Sequence, residues 1–531
     1  MNWQHYPLIR LIIPFTLGMI GANLLIAHMN MMALFILCCI VLAISFFLLN
    51  TSSTFHDSTF GVVAILLFFL IGMTIYTGKH RSIERTIPQD TTFCQGILTE
   101  SPTEKAHSWA LHLQQDDAHI ILYIGKDPLC PSDISPIMGR TIRDVRNKPQ
   151  GLSLPITGEG WGEGLSIGDT ILASLTHFNP TNTCSDDTFR TYYTYLFNNG
   201  ISATAYTPHN RWTVKPCHTS PNILTSLKSL QGKLHSIYDE RGINGEAGSI
   251  VEAMTIGRKA NLSGETRTAY AHAGVSHVLA LSGFHVGIIV LMIQFFFFKP
   301  LLSIRWQWVS NLLIIAVLWL YALITGMSPS LVRATLMFTI LMLCQTFSRD
   351  ALSPNSCALA FFIMLCINPF YLYDIGFQLS FIAVAAIGIL GKRLIALCTT
   401  SNRFIHFMWL ITIIAVSLIS SVFTAPLVAH YFGQFTFVSL LSNLALFAFV
   451  YLLMGVSILW WAFLWCDPIN ALLTDLLIWT ATTMNRIVET ISSLPFATIE
   501  WQPNTLTTLL CYAVLLALSF YLLHPQKHHL R

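Results

Sequence analysis

Polar side chains capable of acid–base or nucleophilic chemistry lie in an otherwise apolar stretch, residues 274–290. They include His277, Ser282 and His285, and glycines occupy positions 274, 283 and 287. Ionisable groups at membrane depth are costly and usually face a bundle interior or a water-filled cavity. Glycine lets the backbone leave the helix, which a bilayer tolerates only where protein or water satisfies the amides. The stretch therefore predicts a broken segment around Ser282 and Gly283 that lines a polar cavity. The alternative is an ordinary helix whose polar groups bond to neighbouring helices.

More polar residues interrupt the apolar C-terminal half of the chain. Arg333 starts one apolar run, and Asp374 and Gln378 are four residues apart, so they share one helical face. An ion pair between Arg333 and Asp374 would be structural, whereas the whole group predicts a hydrated path lined by donors and neutral polar groups. The candidate lining residues are His277, Ser282, Gly283, His285, Arg333, Asp374, Gln378, Ser380, Pro426 and Asn443.

A competing hypothesis is an intramembrane serine protease of the rhomboid type. Residues 280–283 read Ala-Leu-Ser-Gly, close to the Gly-x-Ser-Gly of those enzymes except that Ala280 replaces the first glycine. In this hypothesis Ser282 is the nucleophile and His430, on a later span, is the base. The two side chains would have to lie within hydrogen-bond distance of each other.

The composition indicates a polytopic α-helical membrane protein. Of 531 residues, 53% are hydrophobic and 10% are charged, against about 25% charged in soluble domains. Runs approaching the ~20 apolar residues that cross a bilayer predict about 10 to 12 membrane segments. The net charge of +3 does not by itself indicate a nucleic-acid partner. We find no Walker-type phosphate loop, no zinc-like Cys/His spacing and no His-x-His-x-Asp-His motif, so we expect no metal, no cofactor and no enzymatic activity.

The order of apolar and polar stretches predicts four regions. Cationic loops, such as the one with Lys392, Arg393 and Arg403, mark the cytoplasmic side of a membrane protein. They predict that both chain ends lie in the cytoplasm and that the polar region lies outside it. The membrane is then expected to be the inner membrane. The regions are a three-helix membrane bundle (1–78), an extracytoplasmic domain (79–220), amphipathic and short helices (221–273), and a multi-span membrane domain (274–531). Region 221–273 begins with apolar residues at helical spacing, which predicts a helix lying on the membrane surface.

Region 79–220 predicts a small β-barrel of the oligonucleotide-binding (OB) type. Its strands are predicted at Phe93–Leu98, Trp109–Leu113, His119–Ile124, Thr170–Leu175, Ile201–Tyr206 and Trp212–Val214, with a short helix around residues 192–197. The Gly/Pro-rich stretch 128–164 predicts a disordered insertion. Cys94, Cys130, Cys184 and Cys217 allow one or two disulfides in an oxidising compartment, with no pairing indicated.

Contact between this domain and single-stranded DNA is one of two open interpretations. The candidate contact residues are Arg190, Tyr192, Tyr193, Arg211 and Trp212, which offer the cations and stacking rings that single strands need. Cationic and acidic residues are nearly balanced across the domain, however, so a strong electrostatic footprint is missing. Aromatic residues near a strand-to-helix junction often belong to a core instead.

Several of these stretches together resemble the ComEC family of competence proteins. The resemblance rests on Met254–Gly257, Ala273–Gly287, Gly376–Phe381, Ala425–Leu427 and Ser442–Leu444 in the apolar half, and on Gly96–Leu98, Gly168–Thr170 and residues 190–203 in the polar domain. It covers nearly the whole chain, and the combination is more specific than any one motif. The insertion at 128–164 departs from the usual pattern.

The resemblance implies an inner-membrane channel that carries single-stranded DNA into the cytoplasm during natural transformation. It also implies a separate DNA receptor and a separate cytoplasmic motor or helicase as partners, beside the lipid bilayer itself. Many relatives carry a metallo-β-lactamase-like domain after the membrane region. Because this chain has no matching metal motif, the resemblance is to a short form, and nuclease activity is not expected.

Overall fold

The computed structural model describes most of the chain and divides it into two compact units. The first comprises Met1–Ile9, Gln231–Met364 and Tyr373–Arg531, and the second Arg10–Leu230 and Leu365–Leu372. The described residues are 7–25, 36–37, 40–41, 56–87, 92–100, 102–105, 107–126, 165, 168–182, 187–209, 211–215, 223–259, 261–295, 307–347, 354–398, 408–494 and 497–523.

Helices dominate both units. In chain order they are α1 (Pro7–Leu25), α2 (His56–Thr86), α3 (Asp187–Asn198), α4 (Ile223–Glu240), α5 (Gly245–Thr255), α6 (Gly264–His272), α7 (Gly283–Ile293), α8 (Gln307–Ile324), α9 (Pro329–Thr346), α10 (Pro354–Ile367), α11 (Ile375–Cys398), α12 (Met408–Phe432), α13 (Ser439–Ala462), α14 (Asp467–Ser492) and α15 (Thr505–Leu523). A 3-10 turn, Pro369–Tyr373, joins α10 to α11.

The chain is a multi-pass membrane protein. Among the described residues, five helices are long and apolar enough to cross a bilayer: α1, α2, α9, α12 and α13. Helices α7, α8, α10, α11 and α15 contain shorter apolar stretches. The sequence predicted apolar runs at each of these places, and also at Met31–Leu49, which lies largely outside the described residues.

Close helix packing through glycine begins at the N-terminal end. A methyl group at Gly18 of α1 would overlap the carbonyl oxygen of Phe69 on α2, and one at Gly72 would overlap that of Phe15. Small residues let membrane helices approach each other in this way. The hydroxyl of Tyr76 also donates to Asn23 Oδ1 at 2.7 Å. Helices α1 and α2 therefore pack closely, whereas the predicted bundle of three helices stays a prediction, because its middle run lies largely outside the described residues.

Helix α14 buries several uncharged polar side chains, while its charged residues Asp475, Arg486 and Glu489 are exposed. Asn470, Thr474 and Asn485 are buried, and Trp460 Nε1 donates to Thr474 Oγ1 at 2.8 Å. Buried polar groups require such partners. The sequence predicted an amphipathic or partly buried helix over Ala471–Ile491, and the structure confirms it.

The polar domain is built on a mixed β-sheet. Its strands are β1 (Phe93–Leu98), β2 (Thr103–Glu104), β3 (Ser108–Gln115), β4 (Ala118–Gly125), β5 (Thr170–Ser174), β6 (His177–Pro180), β7 (Ala203–Thr207) and β8 (Trp212–Lys215). The order is β6-β7-β4-β3-β1-β5-β8, with β2 beside β3, and only the β4–β7 pair is parallel. All six predicted strands and the short helix are present; β2 and β6 are additional.

The sheet runs as an open path through the described strands. Strands β6 and β8 end this path without pairing with each other, so closure into an OB-like barrel stays a prediction. One face buries Leu98, Leu111, Ile120 and Ile171 in a single apolar core. The predicted insertion at 128–164 lies outside the described residues. Strands β9 (Gln434–Thr436) and β10 (Thr498–Glu500) form a separate antiparallel pair in the other unit.

Two helix boundaries differ from the simplest expectation. The apolar run that starts at Val275 becomes helical only at Gly283, because residues 274–282 form turns. Helix α12 continues through Pro426 to Phe432, beyond the apolar run that the sequence indicates only as far as Phe423. Membrane helices tolerate proline where neighbouring groups satisfy the backbone that it frees.

Candidate functional site

The segment between α6 and α7 is held in a non-helical path by its first glycine. Gly274 has φ +73°, a left-handed conformation that side chains with a Cβ rarely adopt. A Cβ there would lie 2.7 Å from Ser439 Cβ at the start of α13. Val275 and Leu281 are buried, whereas His277 is exposed. A break is therefore present over residues 274–282, but it ends before Gly283, because Gly283 and Gly287 lie in the regular helix α7. The His277 side chain is solvent-accessible within this break.

Ser282 and His285 together form the N-terminal cap of α7. The Ser282 amide donates to His285 Nδ1 at 3.3 Å, and Ser282 Oγ lies 3.0 Å from the same nitrogen. An Nδ1 that accepts a hydrogen bond leaves the ring hydrogen of a neutral imidazole on Nε2. His285 is fully buried, and its Nε2 has no hydrogen-bond partner in the described part of the chain. His285 thus fixes where α7 begins.

Helix α7 packs against α9 through its glycines. A Cβ at Gly283 would lie 3.7 Å from Ala334 Cβ, and one at Gly287 would lie 3.5 Å from Phe338 Cζ. Both members of these pairs advance by four residues, so the helices run in the same direction at this contact. The start of α7 consequently lies beside the second turn of α9, next to Arg333.

Arg333 and Asp374 form the predicted ion pair. Nη1 of the buried arginine lies 3.3 Å from Asp374 Oδ1, and that oxygen also accepts the amide hydrogen of Phe377 at 2.6 Å. Asp374 therefore caps α11 while it neutralises the guanidinium. A Cβ at Gly376 would approach Arg333 Nη2 to 3.0 Å, so glycine leaves the room that the pair needs.

The electrostatic character of this region follows from those three helices. The first turns of α7 and α11 carry the partial positive charge of a helix N-terminus. The first turn of α11 lies against the Arg333 guanidinium, and the first turn of α7 packs on Ala334, the next residue of α9. Amides at helix N-termini and guanidinium groups are the usual partners of anions in proteins. The carboxylate of Asp374 offsets part of the positive charge. The arrangement is suited to weak, reversible interaction with a passing anionic group.

Ser282 and His430 have different partners. His430 Nδ1 donates to the carbonyl oxygen of Pro503 at 2.8 Å, while Ser282 bonds to His285. The geometry thus gives no support to the protease hypothesis, which needs the two side chains in contact.

The remaining candidate lining residues are distributed over three helices. Gln378 Oε1 accepts from the hydroxyl of Tyr431 at 3.3 Å, which links α11 to α12. Ser380 and Asn443 are half-buried, and Pro426 is buried. Whether these residues face one passage together with Ser282 stays a prediction.

In the polar domain, two of the five predicted DNA contacts belong to the core. Trp212 is buried in the apolar cluster of the sheet, and Tyr193 of α3 is buried where that helix packs on the sheet. Because a base needs an open ring face to stack, the prediction for these two residues is wrong. Tyr192 is exposed and its hydroxyl lies 3.1 Å from that of Tyr123; Arg211 is also exposed. The side chain of Arg190 lies outside the described residues.

Four strands of the sheet form an exposed surface that sequence reasoning missed. We call this surface the open face. Phe93 and Ile97 of β1 are 53% and 47% exposed, and Leu172 of β5 is also exposed. The register places Ile97 opposite Thr170 and Thr170 opposite Lys215 of β8. Strands β1, β3, β5 and β8 contain no Asp or Glu. The alternation within Phe93–Leu98 was the signal available in the sequence.

Comparison with known protein families gives a match for the membrane half of the chain. The family model described as "Competence protein" matches residues 254–526, which is more than half of the chain. The chain belongs to this family. The match begins within α5 and includes every candidate lining residue of the membrane site, whereas the open face lies outside it.

Two curated relatives match parts of this competence-family chain. It is 31% identical over 249 residues to ComE operon protein 3 of Bacillus subtilis (strain 168), covering 46% of this chain and 30% of the relative. It is 30% identical over 199 residues to an uncharacterized protein of Aquifex aeolicus (strain VF5), covering 36% of this chain and 46% of that protein. The chain thus spans less than half the length of these relatives. No solved structure gives a significant match.

Proposed function

We propose that the chain forms the route by which one DNA strand crosses the inner membrane into the cytoplasm during natural transformation. Family membership supports a role in competence. The observation that carries the proposal is the non-helical segment 274–282, which ends at the cap of α7 beside Arg333. Irregular backbone within a bilayer requires a protein or water environment, and a phosphate chain requires the same. The chain itself carries out no covalent chemistry in this proposal.

The open face of the extracytoplasmic domain is the proposed first contact for the strand. Exposed Phe93 offers a stacking surface, and Lys215 offers a cation for a phosphate on the same face. Base–aromatic stacking and a cationic groove are the two elements of sequence-independent single-strand binding. An OB-like closure of the sheet would leave this face available. A separate receptor would deliver the DNA, and a separate cytoplasmic motor would supply the energy.

Inside the bundle, the strand would pass the cap of α7. Phosphates would meet exposed His277 and the positive ends of α7 and α11, while the Arg333–Asp374 pair keeps the fixed charge low. A weak field is required, because a site that binds phosphate tightly cannot release it for the next step.

Uptake of labelled DNA tests the route. A strain without this protein should keep labelled strands outside the cytoplasm, and the wild-type chain should restore entry. His277→Ala should reduce entry, while the neighbouring exposed Ser276→Ala should not. Normal cytoplasmic entry in the deletion strain would reject the channel proposal, whereas normal entry with His277→Ala would reject only the lining role of His277.

Binding of a fluorescent oligothymidine to the full chain in lipid nanodiscs tests the open face. Loss of one stacked base costs about 1–3 kcal/mol, so Phe93→Ala should weaken binding about five- to a hundredfold. Lys215→Ala should make the binding constant less dependent on salt concentration, by the amount that corresponds to the loss of about one phosphate contact. Tyr195→Ala is the matched control, because Tyr195 is an exposed aromatic residue on α3 and belongs to none of the four strands of the open face. Equal loss in the control variant would contradict the assignment.

A further inference from the structure

Three potential metal ligands converge where α4 meets α5. His235 and Asp239 are one turn apart on α4, and Glu252 comes from α5. His235 Nδ1 lies 2.7 Å from Glu252 Oε1, and His235 Nε2 lies 3.3 Å from Asp239 Oδ2. Residues four apart on a helix present their side chains on one face, which is the spacing of many two-ligand metal sites.

The hydrogen bond to Glu252 orients the imidazole. Nδ1 donates to the carboxylate, so a neutral ring carries its lone pair on Nε2, the nitrogen that faces Asp239. A carboxylate behind a histidine fixes the tautomer and increases the basicity of the ligating nitrogen in this way. Glu252 therefore acts as the supporting group, and His235 with Asp239 as the two ligands.

The distance between those two ligands fits one metal ion. Ligands about 2.0–2.1 Å from a tetrahedral zinc lie about 3.4 Å from each other. The observed separation of 3.3 Å needs almost no movement of either side chain. The side chain of Asp239 is 50% exposed and that of His235 is 20% exposed, so water can complete the coordination.

The charge balance also favours a cation. Glu252 is almost completely buried, and its Oε2 has no hydrogen-bond partner within the described ranges. Even with a protonated imidazole between them, the two carboxylates leave one negative charge. A divalent ion in place of that proton makes the cluster neutral, which lowers the cost of burying the Glu252 carboxylate.

We propose that His235 and Asp239 bind a divalent transition-metal ion of the zinc class, with Glu252 as the supporting carboxylate. Because Glu252 of α5 is hydrogen-bonded to the ligand His235, the ion would strengthen the contact between α4 and α5. Helix α5 leads directly to Gly257, where a Cβ would meet Leu281 Cδ1 at 2.8 Å, so the site lies one short contact from the broken segment. The proposal is independent of DNA transport.

Zinc binding by the purified full chain in detergent tests this site, with an affinity tag that contains no histidine. Mass spectrometric metal analysis and titration against a chromophoric chelator should give a saturable site in the wild type. His235→Ala and Asp239→Asn should lower its affinity by at least tenfold, and Glu252→Gln by about ten- to a hundredfold. Glu240→Gln is the control, because Glu240 is an exposed carboxylate on the same helix.

Thermal unfolding with and without Zn²⁺ gives a second measurement. Zinc should raise the midpoint of the wild type and of Glu240→Gln, but not that of Asp239→Asn, whose exposed position preserves the fold. Failure of the wild type to bind, or equal zinc affinity in Asp239→Asn, would overturn the proposal. The latter result would assign the zinc to other histidines of the chain.

Discussion

Arg333 of α9 and Asp374 at the start of α11 form an ion pair at 3.3 Å, and the same aspartate oxygen caps α11. One carboxylate thus neutralises a buried cation and fixes a helix end, although 41 residues separate the pair in the chain. The relationship explains why a charged residue is tolerated in an apolar helix. It also places the second turn of α9 next to the first turn of α11.

Removing the charge of Asp374 should destabilise the fold without removing the cap. Asp374→Asn keeps an oxygen for the Phe377 amide but removes the carboxylate charge from beside the Arg333 guanidinium, at a cost of about 1.5–3 kcal/mol, since Asp374 is about a third exposed. Arg333→Met combined with Asp374→Asn should be more stable than the sum of the single changes predicts. Thermal unfolding of all four proteins in detergent measures the coupling, and strict additivity would contradict it.

Gly274 should be one of the least replaceable glycines of the membrane domain. Gly274→Ala forces a Cβ into a left-handed conformation and against Ser439, which should cost about 1–2 kcal/mol for the backbone alone. Gly388→Ala on α11 is the matched control, because nothing lies within 4 Å of its added methyl, and it should be neutral or slightly stabilising. Expression level and unfolding temperature measure both. Equal behaviour of the two variants would argue against strain at Gly274.

Ser282 should be replaceable by another capping residue that has no hydroxyl group. Ser282→Ala should lower stability by about 0.5–2 kcal/mol, and Ser282→Asn should restore most of it, because asparagine is an equally good N-cap. DNA uptake should follow the same order. If Ser282 were a nucleophile, Asn would be as inactive as Ala, so the uptake assay with Asn separates the two roles.

Cys94 should resist thiol reagents until the domain unfolds. Burial raises the pKa of its thiol to about 11 from an ordinary value of 9.0, and the thiolate is the reactive form. Between pH 7 and 9 the folded protein should therefore keep the neutral thiol, and the peptide that contains Cys94 should label only after denaturation. Mass spectrometry of the alkylated peptide gives the rate. Rapid labelling of the folded protein at pH 8 would contradict this.

The same cysteine bears on the disulfide hypothesis. Cys94 is a free thiol whose Sγ lies 3.5 Å from Gln115 Oε1. Cys130, Cys184 and Cys217 lie outside the described residues. A disulfide that includes Cys94 is therefore not part of this structure.

Sequence patterns were reliable where one local signal decided the structure. The apolar runs gave the membrane helices because a bilayer requires about 20 apolar residues at each crossing. Short runs rich in apolar residues between turn residues gave β1, β3 and β4. The glycine at position 274 gave the break before α7, since φ +73° is a property of the residue itself. The motifs around residues 254–287 also led to the correct family.

Other features depended on which distant residues meet. Tyr193 and Trp212 are of residue types that can stack on bases, but both are buried in the domain core. The open face is formed instead by residues such as Phe93, Ile97 and Lys215. His285 has the composition of a lining residue, yet its Nδ1 accepts from Ser282 and caps α7. Burial and hydrogen-bond partners are set by packing between separate elements, so residue type alone cannot determine them.

By itself, therefore, the sequence determined the class of protein, its family and the place where the membrane segment breaks, because hydrophobic length and glycine conformation are local properties. Only the tertiary structure decided that Arg333 meets Asp374, that His235 faces both Asp239 and Glu252, and which side of the β-sheet is open. Those outcomes depend on the register of strands and the packing of helices distant in the chain, and no local pattern encodes them.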